Sequence, residues 1–85
     1  MELHFTQSFE EDYRVLPHIV QKRLDHKLVY LLKNPRHPSL RTKKMEGRPD
    51  IWEGRISQRW RFTFEISGKK YILRRTGMHD ILRNP

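Results

Sequence analysis

The spacing of apolar residues changes period once along this chain. Phe9, Tyr13 and Leu16 fall at i, i+4 and i+7, and Val20, Leu24, Leu28 and Leu31 make a second helical stripe. Each stripe predicts a helix with one apolar face. Ser8 followed three residues later by Glu11 reads as a capping box opening the first helix. Pro17 suits the first turn of the second, and Asn34-Pro35 ends it. From Leu40 onward the period is two. Trp52, Gly54 and Ile56 alternate with Glu53, Arg55 and Ser57, and Trp60, Phe62, Phe64 and Ile66 alternate with Arg59, Arg61, Thr63 and Glu65. These runs predict strands with one buried and one wet face. Residues 2–6 and 42–46 add shorter strands, Gly47-Arg48-Pro49-Asp50 a turn, and Ser67-Gly68 a hairpin loop before a strand from Lys70 to Thr76. The order β-α-α-β-β-β-β predicts one α+β domain over residues 1–85. Its two N-terminal helices pack on one face of a twisted, mainly antiparallel sheet.

Register then decides which polar residues meet. A loop at Ser67-Gly68 pairs Glu65 with Lys70, Phe64 with Tyr71, Phe62 with Leu73, and therefore Arg61 with Arg74. A three-residue loop at Ser57-Gln58-Arg59 pairs Arg55 with Arg61 and keeps the two tryptophans on one face; a five-residue loop is the alternative. The expected result is a row of Arg55, Arg61 and Arg74 across three strands, on the face away from the helices. Like charges directly opposite one another destabilise a sheet by roughly a few tenths of a kcal/mol. A row kept against that penalty points to a bound anion, and guanidinium forks suit phosphate. The plainer reading has the arginines splayed into water or neutralised by Glu53 and Glu65.

Charge sharpens this picture. The formal net charge is +8 over 85 residues, and all of the excess lies after Pro35. Five acids balance five bases in residues 1–35, whereas five acids face thirteen bases in residues 36–85. One-sided basic charge reads as a face for a polyanion, most often nucleic acid. The absence of cysteine excludes a disulfide framework and thiolate metal sites, so packing alone must form the core. No stretch has the length of apolar sequence that a membrane span needs, and Glu10, Glu11 and Asp12 interrupt any leader-like segment. The expectation is a cytoplasmic protein with no membrane partner.

Among five histidines, His79 stands apart, because it follows Thr76-Gly77 just past the strand carrying Arg74. An imidazole beside a phosphate-binding row can exchange protons near neutral pH. His79 and Asp80 are neighbours in sequence and are not read as a dyad. No spacing suggests a metal site, a glycine-rich phosphate loop or a nucleophile elbow, so neither metal nor small-molecule cofactor is expected. Lys43 and Lys44 sit where a flanking strand can add a cation.

The order Pro38-Ser39-Leu40, Lys43-Lys44, Gly47, Ile51-Trp52-Glu53, Arg55, Arg61, Phe64 and Arg75-Thr76-Gly77-x-His79 resembles the RelE/ParE superfamily of toxins from type II toxin–antitoxin systems. It covers essentially the whole chain. The run from Arg75 to His79 is most like the YafQ branch, and Arg55 and Arg61 look like the RelE and YoeB arginines. The resemblance implies a RelE-like, microbial-ribonuclease-like fold. The implied activity is a ribosome-dependent, metal-independent endoribonuclease that cuts mRNA by attack of a 2′-hydroxyl on the scissile phosphate. It assigns the phosphate to Arg61 with Arg55 beside it, the general acid to His79, and a basic strand residue to Lys43 or Lys44. It also implies mRNA and ribosomal RNA on the ribosome, and a cognate antitoxin, as partners. Arg74 enters from register alone. The acidic base of the YoeB branch has no clear counterpart, since Leu40-Arg41 falls near its position, and Glu53 can serve only from the same wet face. The C-terminal tyrosine of the RelE branch is missing, and the late phenylalanine of the YafQ branch aligns with Arg83. Two alternatives share the fold: a ParE-like, non-enzymatic inhibitor of DNA gyrase, and an RNA-binding protein that does not cleave.

Overall fold

A computed structural model describes residues 1–85. Strand β1 (Glu2–Phe5) leads into helices α1 (Gln7–Arg14) and α2 (His18–Lys33). A 3-10 turn at Pro38–Leu40 precedes strands β2 (Lys43–Met45), β3 (Arg48–Arg55), β4 (Trp60–Ser67) and β5 (Lys70–Met78), and a second 3-10 turn, His79–Arg83, follows them. The five strands form one sheet in the order β1-β5-β4-β3-β2. β1 runs parallel to β5 and every other pair is antiparallel. The α+β architecture and the β-α-α-β-β-β-β order therefore agree with the sequence pattern. No helix is long and apolar enough to cross a membrane.

The core lies between the helices and the sheet. Phe9, Leu16, Val20, Leu24, Leu28 and Leu31 from the helical stripes meet Phe62, Phe64, Tyr71 and Leu73 from β4 and β5, all buried. Trp52 and Trp60 pack against this cluster, the core role their alternation predicts. Gly54 is opposite Phe62, and a Cβ there would overlap the Phe62 ring. The ring fills the space that a side chain on β3 would occupy.

Three local expectations are corrected. The first helix is capped by Thr6, whose hydroxyl accepts from the Phe9 N–H at 3.1 Å, not by Ser8; Thr6 also donates to the Leu73 carbonyl at 2.9 Å. A cap that simultaneously ties the helix to β5 outcompetes a purely local one. Pro17 is the N-cap of α2, not its first turn. Residues 48–50 belong to β3, which bulges against β2, so the turn is only Glu46-Gly47, with Gly47 at φ 77°.

The register between β4 and β5 departs most. Ser67 pairs with Lys70, which makes Gly68-Lys69 the loop. Gly68 takes φ 59° at the first loop position, where a II′ hairpin favours glycine. Glu65 then faces Ile72 and Phe64 faces Leu73. Between Thr63 and Phe64 the register shifts again: Thr63 pairs with Arg75, leaving Arg74 unpaired, and Arg61 pairs with Gly77. The expected Arg61–Arg74 contact is absent, and the three-arginine row with it. The β3–β4 hairpin, by contrast, has the expected short loop and pairs Arg55 with Arg61.

Gly54→Ala should lower stability by about 1–3 kcal/mol through overpacking against Phe62, read as a lower denaturation midpoint in urea. A midpoint equal to wild type would contradict this packing.

Candidate active site

Strict alternation sends Glu53 and Arg55 of β3, and Arg61 of β4, to one side of the sheet, opposite the buried Phe62 and Phe64. Lys43 pairs with Glu53 and shares that side, while Lys44 pairs with Trp52 and stands over its ring, 5.5 Å from the centroid. Arg41 precedes β2 by two residues and His79 follows β5. Together Arg41, Lys43, Glu53, Gly54, Arg55, Arg61 and His79 line a depression of about 330 Å3 with no hydrophobic residue in its wall.

Arg61 is the fixed member. It is only 8% exposed. Its Nη1 donates to the Ser57, Gln58 and Trp60 carbonyls at 2.7, 3.0 and 3.0 Å, so the guanidinium also holds the β3–β4 loop closed. Nε and Nη2 have no protein partner, and no buried side-chain nitrogen or oxygen in the chain lacks one. This edge is therefore open to the depression and free to bind an anion side-on. Burial, then repulsion from Arg55 and Arg41, lowers the Arg61 pKa against the opposing pull of Glu53. A cation desolvated and crowded in this way is stabilised by an incoming anion.

Glu53 is 9% exposed, and its Oε1 lies 3.4 Å from Lys43 Nζ. It is the only carboxylate in the wall. Gly77, opposite Arg61, puts no side chain beside the guanidinium, and His79 begins the 3-10 turn just beyond. Arg41 was not singled out by the sequence pattern. It is the only non-glycine residue with positive φ, at φ 46° and ψ 44°, where it ends the Pro38–Leu40 turn. His37 Nδ1 accepts from the Ser39 N–H at 3.1 Å at the start of that turn, and Leu40 is fully buried beneath it. These anchors hold Arg41 in a backbone conformation that L-residues adopt at some cost. Its spacing of two from Lys43 was the available signal.

The structure thus brings Arg55, Arg61, His79, Glu53 and Lys43 together and adds Arg41. Lys44 and Arg74 lie elsewhere. Arg74 pairs with Glu65, and its Nε donates to the Pro85 carbonyl at 3.2 Å. Arg75, within the run that ends at His79, grips Asp12 of α1 with Nε to Oδ2 at 2.6 Å and Nη2 to Oδ1 at 3.3 Å. The Thr76 N–H donates to the same Oδ2 at 3.1 Å. This hydrogen bonding to Asp12 raises the Arg75 pKa. The end of β5, and His79 with it, is therefore fixed to α1. Chemically, the depression offers four cations to a phosphate, an imidazole that can carry a proton and a carboxylate that can accept one.

No protein-family model matches the chain, and neither does any curated protein. Solved structures do. The YoeB/ParE toxin from Agrobacterium tumefaciens superposes with a TM-score of 0.80 at 19% identity, covering 93% of this chain and 99% of that one. YafQ from E. coli in its DinJ–YafQ complex gives 0.77 at 14%, covering 94% of each. A chain of the RelB–RelE antitoxin–toxin complex from Methanococcus jannaschii gives 0.73 at 20%, covering 95% of each. The chain shares the fold of these YoeB/ParE, YafQ and RelE structures, the fold that the sequence resemblance implies.

Arg41→Gly should leave thermal stability unchanged or raise it, since glycine accepts the left-handed backbone without strain. The same change should weaken binding of phosphate in the depression a few-fold, by about 0.5–1 kcal/mol for an exposed cation. Paired thermal melts and titrations check both halves; a large loss of stability would contradict the strained-arginine account.

Proposed function

We propose that this chain, with the fold of the RelE/YoeB/YafQ toxins, is the toxin of a toxin–antitoxin pair and acts as a ribosome-dependent endoribonuclease on mRNA. The observation that carries the reading is the open Nε/Nη2 edge of a buried Arg61 beside His79 and Glu53. A scissile phosphate seated on that edge has Arg55, Lys43 and Arg41 within the same wall. The substrate 2′-oxygen attacks phosphorus as its proton passes to a base, for which Glu53 is the carboxylate at hand. The P–O5′ bond breaks, and His79 gives its proton to the departing 5′-oxygen. The products are a 2′,3′-cyclic phosphate and a 5′-hydroxyl. Charge developing on the phosphorane oxygens meets fixed guanidinium groups, the electrostatic part of catalysis, and proton transfer adds its own factor. With four cationic side chains around one phosphate, the step calls on no metal ion.

The antitoxin is the expected protein partner. The DinJ–YafQ and RelB–RelE relatives are described as toxin–antitoxin complexes, and a chain of net charge +8 suits a partner that offsets its basic surface.

His79→Ala should reduce mRNA cleavage on programmed ribosomes by roughly 10²–10⁴-fold while the circular dichroism and melting curve stay those of wild type. Arg61→Ala should cut cleavage as deeply but also loosen the Ser57–Trp60 loop, so Arg61→Lys is the companion variant. Lysine keeps a charge but loses the side-on fork and should remain strongly impaired. Toxicity in cells that survives His79→Ala and Arg61→Lys alike overturns the nuclease reading and favours a non-nucleolytic toxin.

A further inference from the structure

Residues 1–35 are charge-balanced, yet their charges are segregated in the fold. Arg23, His26, Lys27 and Tyr30 fall at i, i+3, i+4 and i+7 on α2 and line a groove of about 430 Å3, with Ile56 and Ser57 as the opposite wall. No carboxylate lines it. Asp25, the one acid of α2, accepts instead from the Tyr13 hydroxyl at 2.8 Å, and none of the chain's four ion pairs includes Arg23 or Lys27. Lys27 is partly buried and donates to the Ser39 carbonyl at 3.2 Å. Its pKa is lowered by burial and by repulsion from Arg23, so the two cations are uncompensated neighbours. Beside them, Tyr30 is 40% exposed and stacks on His37, with ring centroids 4.1 Å apart and planes 9° from parallel. The groove adjoins the active site through one residue. Ser57 lines it, and the Ser57 carbonyl is held at 2.7 Å by Arg61 from the other side of the loop.

We propose that this α2 groove is a second binding site for nucleic-acid backbone, in which Arg23 and Lys27 take phosphates and Tyr30 stacks on a base. The cations alone would equally suit an acidic peptide. The exposed tyrosine, braced by a parallel histidine, favours a ligand with planar bases, because base–aromatic stacking tolerates any sequence. A strand held here and on Arg61 would cross the Ser57-Gln58-Arg59 loop, where Arg59 is exposed. The proposal rests on the nucleic-acid reading of the active site. It concerns binding, however, and so can fail separately from cleavage.

The test compares wild type with Arg23→Gln/Lys27→Gln in titrations over a salt series, using short single-stranded RNA with methylated 2′-hydroxyls, vacant ribosomes, and a polyglutamate peptide. Loss of two phosphate contacts should reduce the slope of log K against log salt by about 1.4, at about 0.7 per single-strand phosphate. Tyr30→Ala should weaken RNA binding about 5- to 150-fold and leave that slope unchanged. A reduced slope on the RNA assigns the groove to the substrate strand; a reduced slope on ribosomes alone assigns it to ribosomal RNA. Either supports the proposal. Wild-type slopes on both overturn it, as does a defect confined to the peptide. Arg23→Gln alone, at an exposed residue with no ion pair, keeps the test valid if the double variant is unfolded; its slope should fall by about 0.7. A wild type that shows the groove-dependent slope but never cleaves mRNA sinks the nuclease reading alone.

Discussion

One extra residue in β5 sets the geometry on which the candidate site depends. Tyr71 and Leu73 point into the core, and unbroken alternation would send Arg75 and Gly77 after them. The bulge that leaves Arg74 unpaired resets the phase, so Thr76 comes opposite Phe62 and is buried, with its hydroxyl donating to the Arg61 carbonyl at 3.1 Å. Burying an arginine in that core would cost several kcal/mol unless it were fully paired, far more than the local penalty of a bulge. Three consequences follow from the same shift. Arg75 becomes available to Asp12, Gly77 faces Arg61 without crowding it, and His79 emerges at the rim of the depression. Packing of the core and placement of the imidazole are one constraint.

Arg61 shows the same coupling from the other side of the sheet. Half of its guanidinium is structural, closing the three-residue loop by binding the Gln58 carbonyl, which has no backbone donor, together with the Ser57 and Trp60 carbonyls that the hairpin also pairs. That loop has no glycine, and the arginine supplies from a neighbouring strand what local turn chemistry does not. The other half faces a wall of like charge. Arg55 directly opposite and Arg41 nearby oppose ionisation of Arg61, and Glu53 offsets them only partly. Repulsion of this kind is retained where it has a use, and a functional site is where stability is most often given up.

Much of this was legible in the chain. Both helical stripes, the strand pairs and the Arg55–Arg61 register follow from period and loop length, because one buried face fixes the phase of a strand. The Arg61–Arg74 pairing did not follow. Two-residue loops at Ser67-Gly68 and Gly68-Lys69 differ by one position in sequence, and a bulge leaves no local mark beyond the unfavourable burial it avoids. Glu65, expected opposite Lys70, instead neutralises Arg74. Lys43 and Lys44 were equivalent in sequence, and only the pairing of β2 with β3 separates the one beside Glu53 from the one over Trp52. Arg41 was hidden for a different reason: its direction is set by a left-handed residue at the end of a 3-10 turn, and positive φ is not expected of arginine.

The position of the acid bears on how such a site can work. Near the place where the resemblance puts the acidic base of the YoeB branch, this chain has Arg41, and the one carboxylate in the wall lies in the middle of β3. A base on a loop can move with its substrate; Glu53 sits on a strand paired on both sides and is largely buried. It also stands among cations, with Lys43 Nζ at 3.4 Å and Arg41, Arg55 and Arg61 in the same wall. If Glu53 is the base of the proposed reaction, it would serve best where guanidinium groups on the same phosphate already make the 2′-hydroxyl acidic. Under the proposed nuclease reading, a cation at Arg41 and a rigidly held Glu53 belong to one arrangement, in which electrostatic stabilisation would carry more of the reaction and proton abstraction less.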